Sequence, residues 1–140
     1  MASIFTKIID GDLPGHFVWR DDICVAFLSI APLQPGHTLV VPREEVDHWL
    51  DLEPEVNAHL MRVAQAIGKA QAAAFEPIKV GMMIAGLEVA HVHYHVVPIR
   101  GVHDLDFANA KGNTAKEALA AAADRLRAAL RDAGVAEVPG

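Results

Sequence analysis

The sequence predicts an α+β fold with a mainly antiparallel sheet, a long central helix and a C-terminal helix. Several apolar runs rich in β-branched residues are separated by short polar turns, as in hairpins. Two longer stretches carry apolar residues at helical spacing instead. The elements follow the order helix, strands, helix, strands, helix, and this order is typical of an α+β domain.

The N-terminal part is expected to hold a short helix and three strands. Ser3 suits a helix N-cap, and apolar residues at helical spacing follow it. Strands are predicted over residues 17–20 and 23–28, joined by a turn of two aspartates. A proline-containing loop over residues 31–36 then leads to a third strand over residues 37–42.

The longest predicted helix opens at Pro54, because proline suits the first turn of a helix. Further strands are predicted over residues 78–84 and 89–99, and the short connection around Gly86 makes them a hairpin. An alanine-rich helix over residues 113–134 follows.

Composition limits the classes of function. The 140 residues are expected to form a single domain, and the formal net charge of −6 argues against a nucleic-acid polymer as partner. No apolar run has the length that a bilayer requires, so we expect no membrane association. Cys24 is the only cysteine, and residues 1–7 do not resemble a signal peptide. Together these features favour a cytoplasmic protein.

The most informative segment is His91-Val92-His93-Tyr94-His95, in which histidines alternate with apolar or aromatic residues. A β-strand sends alternate side chains to opposite faces. The three imidazoles are therefore predicted on one face, with the residues between them buried on the other. Imidazole serves as nucleophile, base or acid near neutral pH, so this face is a candidate reaction centre. The remaining histidines, His16, His48, His59 and His103, lie in no motif.

Two kinds of chemistry fit three histidines in a row. His91 and His95 would lie roughly 13 Å apart on a strand, too far to share one zinc ion. A pair two residues apart could bind a metal together with a distant ligand such as His37. The other possibility is covalent catalysis, in which the central His93 attacks phosphorus while an outer histidine contacts the phosphate or the leaving group.

These residues and their flanks resemble the histidine triad (HIT) superfamily of nucleotide hydrolases and transferases. Its signature is His-φ-His-φ-His-φ-φ, with φ apolar, and residues 91–97 fit that pattern. Residues 4–14, 24–32 and 35–42 are similar to further family segments, in the same order. A family-like core is therefore expected over residues 3–110.

The resemblance implies a HIT-like fold, a homodimer whose sheet continues across the interface, and one site per protomer. Members cleave nucleoside phosphoramidates, aminoacyl-adenylates or dinucleoside polyphosphates through a nucleotidyl-histidine intermediate. By position, His93 is the nucleophile, and His95 binds the phosphate and assists the leaving group. His91 is largely structural, and His37 supports the ring of the nucleophile. The implied residues of the pocket for a purine nucleotide or nucleotide conjugate are Ile4, Phe5, Ile8, Phe27, Leu28, Ser29, Ile30, Gly86 and Glu88.

The chain departs from the family pattern at a few positions. Ser29 stands where many members have an aspartate that binds the ribose, and serine offers no anionic acceptor. The loop before the triad is shortened to residues 85–89. Ser3 and Thr6 replace the Cys-x-x-Cys with which some bacterial members bind structural zinc, and Glu45 stands near a further ligand position. We therefore expect no structural metal and no cofactor.

Three hypotheses follow from the sequence. The first is a nucleotide hydrolase or nucleotidyl transferase that works through a covalent adduct on His93. The second is a nucleotide-binding module with little catalysis, suggested by Ser29 and by Leu87 and Glu88 in the shortened loop. The third is a histidine-based metal enzyme.

Overall fold

The computed structural model describes residues 2–140, and its elements follow the predicted order. They are α1 (Ile4–Ile9), β1 (Phe17–Arg20), β2 (Cys24–Leu28), β3 (Thr38–Pro42), α2 (Pro54–Phe75), β4 (Lys79–Met83), β5 (Tyr94–Ile99) and α3 (Lys116–Asp132), with single-turn 3-10 helices at Trp49–Asp51, Val102–Leu105 and Phe107–Asn109. The predicted α+β class is confirmed. Within residues 2–140, no helix combines the length and apolar character needed to cross a bilayer.

The five strands form one antiparallel sheet in the order β1-β2-β3-β5-β4. β5 lies between β3 and β4, so His95 is opposite Leu39 on one side and Met83 on the other. β1 and β4 are the edge strands. The predicted pairing of the last two strands is therefore confirmed, although a longer connection joins them.

The two faces of the sheet pack against different layers. Cys24, Ala26 and Leu28 of β2 point into the larger core with α2 and α3, and the alternate residues of β2 point into a smaller core beside α1. Val92 and Tyr94 also belong to the larger core. The histidines that alternate with them are thereby directed toward α1, on the opposite face.

The predicted strand over residues 89–99 is too long, because pairing in the sheet begins only at Tyr94. The backbone before it bonds elsewhere: Val92 N–H donates to the carbonyl of Val46, and the His91 carbonyl accepts from a side chain. Residues 84–93 therefore form a ten-residue loop rather than a tight turn. Of the three triad histidines, only His95 lies within a strand.

Gly36 fixes the approach of the chain to β3. Its φ of +91° lies in the left-handed region, and a Cβ there would come within 2.5–3.0 Å of the Phe75 ring. The Gly36 carbonyl accepts hydrogen bonds from Thr38 Oγ1 at 2.8 Å and from Gln71 Nε2 at 2.9 Å. Because His37 follows Gly36 directly, this turn also fixes the backbone position of one histidine of the site.

We expect Gly36→Ala to lower the free energy of unfolding by about 2–4 kcal/mol, because it adds left-handed strain to a clash with Phe75. Gly134→Ala is the matched control, since Gly134 has a φ of +84° with no atom within 4 Å of the added Cβ. The control should lose only about 1–2 kcal/mol. Urea unfolding of the variants measures the difference, and equal losses would contradict the steric part of the prediction.

Candidate active site

A cavity of about 390 Å³ opens on the α1 side of the sheet, and most of the predicted site residues meet there. Its apolar walls come from α1, the end of β2 and the segment that follows β2. Three histidines, Ser29 and Glu88 add the polar part of the lining. The predicted residues found in the lining are Ile4, Phe5, Ile8, Phe27, Leu28, Ser29, Ile30, His37, Glu88, His93 and His95.

Gly86 does not line this cavity, contrary to the expectation from the sequence. It lies in a neighbouring cleft of about 210 Å³, beside Asp47 and Trp49, although His93 borders that cleft too. The reason is the length of the connection before β5. With a φ of +74°, Gly86 turns the chain at a point too early in this connection to reach the cavity.

The tautomer of the neutral His93 ring is set by one backbone group. Its Nδ1 lies 2.8 Å from the carbonyl oxygen of His91, and a carbonyl oxygen only accepts. Nδ1 therefore carries the proton and donates it to that oxygen. In the neutral ring Nε2 is left with its lone pair, and the ring borders the cavity. The ring of Phe5 packs edge-on against His93, with centroids 4.8 Å apart.

The ring of His91 is held from two sides and does not reach the cavity. Its Nε2 donates to the carbonyl of Pro42 at 2.7 Å, at the end of β3. Its Nδ1 then accepts from Ser3 Oγ, also at 2.7 Å. Burial lowers the pKa of His91, which agrees with a neutral ring in these roles. His91 thus ties β3 and α1 together and fixes the carbonyl on which His93 depends.

Ser3 belongs to a polar cluster at the start of α1. The backbone N–H of Ser3 donates to Glu45 Oε1 at 2.6 Å, and Thr6 Oγ1 donates to the same oxygen at 2.8 Å. Structural zinc prefers thiolate and imidazole ligands. Two hydroxyls and one carboxylate do not form such a set. Hydrogen bonds connect α1, Glu45 and His91 at this position.

The ring of His37 hydrogen-bonds to His95 rather than to His93, so any support for the nucleophile's ring passes through His95. The backbone N–H of Leu33 donates to His37 Nδ1 at 3.0 Å, so the proton of a neutral His37 sits on Nε2. That Nε2 lies 3.0 Å from His95 Nδ1 and donates to it. His95 Nε2 must then carry the proton of its own ring.

His95 Nε2 is buried and has no hydrogen-bond partner among residues 2–140. Its ring lies beside His93 and beside Phe107, with centroids 4.8 Å and 5.0 Å away. Burial, with the nearby rings of His37 and His93, lowers the pKa of His95 to about 3. Burial and His93 lower the pKa of His37 to about 4. Both rings are neutral at pH 7, and His95 presents an N–H donor at the cavity.

Sequence reasoning missed several residues of the cavity wall. Phe107 is the most informative, because it packs on His95 from a 3-10 turn that follows β5. This turn has no periodicity in the sequence that would link it to the histidines. The other residues of the lining that were missed are Pro14, Gly15, Ala31, Leu39, Val89 and Ala110.

Comparison with known proteins identifies the family. A protein-family model described as the HIT domain matches residues 10–102. The chain belongs to the HIT family. An uncharacterized HIT-like protein from Borreliella burgdorferi is 39% identical over 102 residues, covering 68% of this HIT chain and 73% of the relative. An adenosine 5'-monophosphoramidase from Schizosaccharomyces pombe is 34% identical over 102 residues, covering 70% of this chain and 74% of the relative.

Two solved HIT structures share the fold over nearly the whole chain. A Hit-like protein from Bartonella henselae aligns with a TM-score of 0.78 and 32% identity, covering 91% of this HIT chain and 95% of that chain. A zinc-bound histidine triad family protein from Mycobacterium smegmatis aligns with a TM-score of 0.83 and 29% identity, covering 98% and 99%. The predicted HIT-like fold is therefore confirmed.

The burial of His37 and His95 predicts that this HIT protein loses stability as the pH falls below about 6.5. The folded pKa values of about 4 and about 3 lie below the ordinary value of 6.5, so the unfolded chain binds more protons in this interval. This contribution to stability is fully present above pH 6.5 and declines as the pH falls toward the folded values. Each proton taken up on unfolding adds a slope of about 1.4 kcal/mol per pH unit.

Urea unfolding between about pH 7.5 and 5 measures this dependence. The double variant His37→Gln/His95→Gln keeps polar side chains but removes both titrating rings. Its stability should fall less steeply with decreasing pH than that of the wild type. The same slope in both proteins would contradict the assignment.

Proposed function

We propose that this HIT protein is a nucleotide hydrolase or nucleotidyl transferase that forms a covalent nucleotidyl adduct on His93. Its substrate is a nucleoside phosphoramidate, an adenylate or a dinucleoside polyphosphate. The hydrogen bond from His93 Nδ1 to the His91 carbonyl carries the proposal, because it leaves Nε2 unprotonated beside the cavity. The similarity to an adenosine 5'-monophosphoramidase supports the substrate class.

The cavity has two chemically different parts, as a nucleotide does. Ile4, Ile8, Phe5 and Phe27 offer apolar and aromatic surface suited to a purine base. His93 and His95 supply the polar part, where a phosphate would lie. Nucleotide-binding pockets combine such surfaces, and both are present in one cavity here.

Ser29 is the candidate contact for the sugar. Its Oγ accepts from the Ala31 backbone N–H at 3.2 Å, which leaves the hydroxyl proton to donate to a ribose oxygen. Glu88 lines the same cavity, and its carboxylate would repel a phosphate. We therefore infer that the Glu88 carboxylate points away from the bound phosphate and that only its backbone N–H contributes.

In the first step His93 Nε2 attacks the phosphorus that bears the nucleoside. For a phosphoramidate, the P–N bond breaks with its electron pair on the leaving nitrogen, which takes a proton from solvent water, while His95 Nε2–H donates a hydrogen bond to a phosphate oxygen. In the second step water attacks the same phosphorus, and the electron pair of the P–Nε2 bond returns to His93. The attacking water loses a proton to solvent, and the nucleoside monophosphate departs. Another nucleophile in place of water gives nucleotidyl transfer.

Turnover of an adenosine phosphoramidate tests this mechanism. We expect His93→Ala to lower kcat/KM at least about a thousandfold, because the nucleophile is lost. His103→Ala is the matched control, since the His103 side chain is 77% exposed and lies outside the cavity. Mass spectrometry of wild type denatured at alkaline pH should show one nucleotidyl group, which is absent from His93→Ala.

The outcomes separate the three hypotheses. Turnover that survives His93→Ala would contradict the covalent mechanism. Thermal stabilisation by adenosine monophosphate without turnover of any of the three substrate classes would favour a binding module. Activity that a chelator removes and an added metal restores would favour the metal enzyme.

We also propose that the protein is a homodimer in which the β4 edges of two copies meet. β4 has a neighbour on one side only, and its unpaired backbone groups can join a second copy of the same strand. A largely apolar groove of about 680 Å³ lies beside this edge, between α2 and β4. Met61, Val80 and Met82 line it, and Met61 is 46% exposed.

We expect Met61→Lys to convert the dimer into a monomer, because the substitution puts a charge into the apolar groove of each copy. Light scattering coupled to gel filtration measures the mass. Leu50→Lys is the matched control, since Leu50 is an exposed apolar residue outside the groove. A monomeric wild type, or loss of the dimer in both variants, would refute the β4 interface.

A further inference from the structure

A second cluster of reactive side chains lies on the other side of the sheet from the triad. Asp21 is in the turn between β1 and β2, Cys24 opens β2, and His59 lies in α2. His59 Nε2 is 2.7 Å from Asp21 Oδ2, and Cys24 Sγ is 3.7 Å from the same oxygen. The three potential ligand atoms all lie within 4.8 Å of one another, the only such group of three or more among residues 2–140.

Two protons converge on one oxygen of Asp21. Trp19 Nε1 and two backbone N–H groups donate to this carboxylate and stabilise its ionised form. An ionised carboxylate only accepts, so His59 Nε2–H and Cys24 S–H both donate to Oδ2. A cation bound to these three atoms takes the place of both protons. The thiol proton goes to solvent, and the proton on His59 Nε2 moves to Nδ1, so that the neutral imidazole binds the ion through Nε2.

The carboxylate is also held in place by groups outside the cluster. Trp19 Nε1 donates to Oδ2 at 2.8 Å, and the backbone N–H groups of Ile23 and Cys24 donate to Oδ1 at 2.8 Å. Such contacts orient metal-binding carboxylates and reduce the cost of ordering them. They are present here before any ion binds.

We propose that Asp21, Cys24 and His59 form a binding site for one divalent transition-metal ion of the Zn²⁺ and Co²⁺ type. Sulfur, imidazole nitrogen and carboxylate oxygen together favour such ions over Mg²⁺ or Ca²⁺, which prefer oxygen ligands. The side chains of Asp21 and His59 are 16% and 22% exposed, so a water molecule can reach the fourth position. The ion links the β1–β2 turn to α2.

The sheet separates this site from the triad. Cys24 belongs to the larger core with α2, whereas the rings of His91 and His93 pack against Phe5 on the opposite face. The site therefore has a structural role, and it does not depend on the proposed nucleotide chemistry. Loss of metal binding and loss of catalysis can be measured independently.

Metal binding by reduced, untagged protein tests the proposal. Competition with a chromophoric chelator should give one Zn²⁺ per chain, and Co²⁺ should produce a thiolate-to-cobalt charge-transfer band. We expect His59→Gln and Cys24→Ser to lose both signals. His93→Ala and His103→Gln should retain them, since these histidines lie outside the cluster.

Thermal unfolding gives a second readout. Saturating Zn²⁺ should raise the Tm of the wild type and of His93→Ala but not that of His59→Gln. Because Cys24 is fully buried and its serine variant could misfold, the half-buried His59→Gln, checked by circular dichroism, decides the result. No stoichiometric binding by the wild type, binding that survives His59→Gln, or binding lost in His93→Ala would overturn the proposal.

Discussion

The hydrogen bond from His93 Nδ1 to the carbonyl of His91 is the interaction on which the rest of the site depends. The His91 carbonyl accepts from this side chain just before the strand, and pairing in the sheet starts only at Tyr94. The carbonyl needs a fixed position, which comes from the His91 ring between the Pro42 carbonyl and Ser3. The tautomer of His93 thus depends on the end of β3 at Pro42 and on the start of α1 at Ser3, because both hold the His91 ring in place.

Burial keeps His37 and His95 neutral, so their hydrogen bonds run in one fixed direction. The Leu33 N–H donates to His37, His37 donates to His95, and His95 is left with an N–H at the cavity. Reversing the order would set the Leu33 N–H against a proton on His37 Nδ1. A buried donor without a partner costs about 1–3 kcal/mol. In the described part of the chain, His95 Nε2–H is a buried donor without a protein partner. Under the proposed function, a phosphate oxygen accepts from it and removes this cost on binding.

The sequence could predict whatever depends on local pattern. Alternation placed the triad histidines opposite Val92 and Tyr94, and helical spacing located α2, because both follow from backbone geometry. The start of β5 could not be predicted, since it depends on bonds to Val46 and within the triad. Phe107 reaches the site through the path of the chain after β5, for which the sequence carries no periodic signal.

The surroundings of His59 could not be predicted from the sequence either. In the sequence it is a lone histidine on a helix, and Asp21 and Cys24 look like a turn residue and a core residue. They meet because the first residue of β2 points toward α2, while the next one points toward α1. A one-residue shift of β2 would send Cys24 to the triad face and separate it from His59. The register of this strand therefore decides which chemistry lies on each side of the sheet.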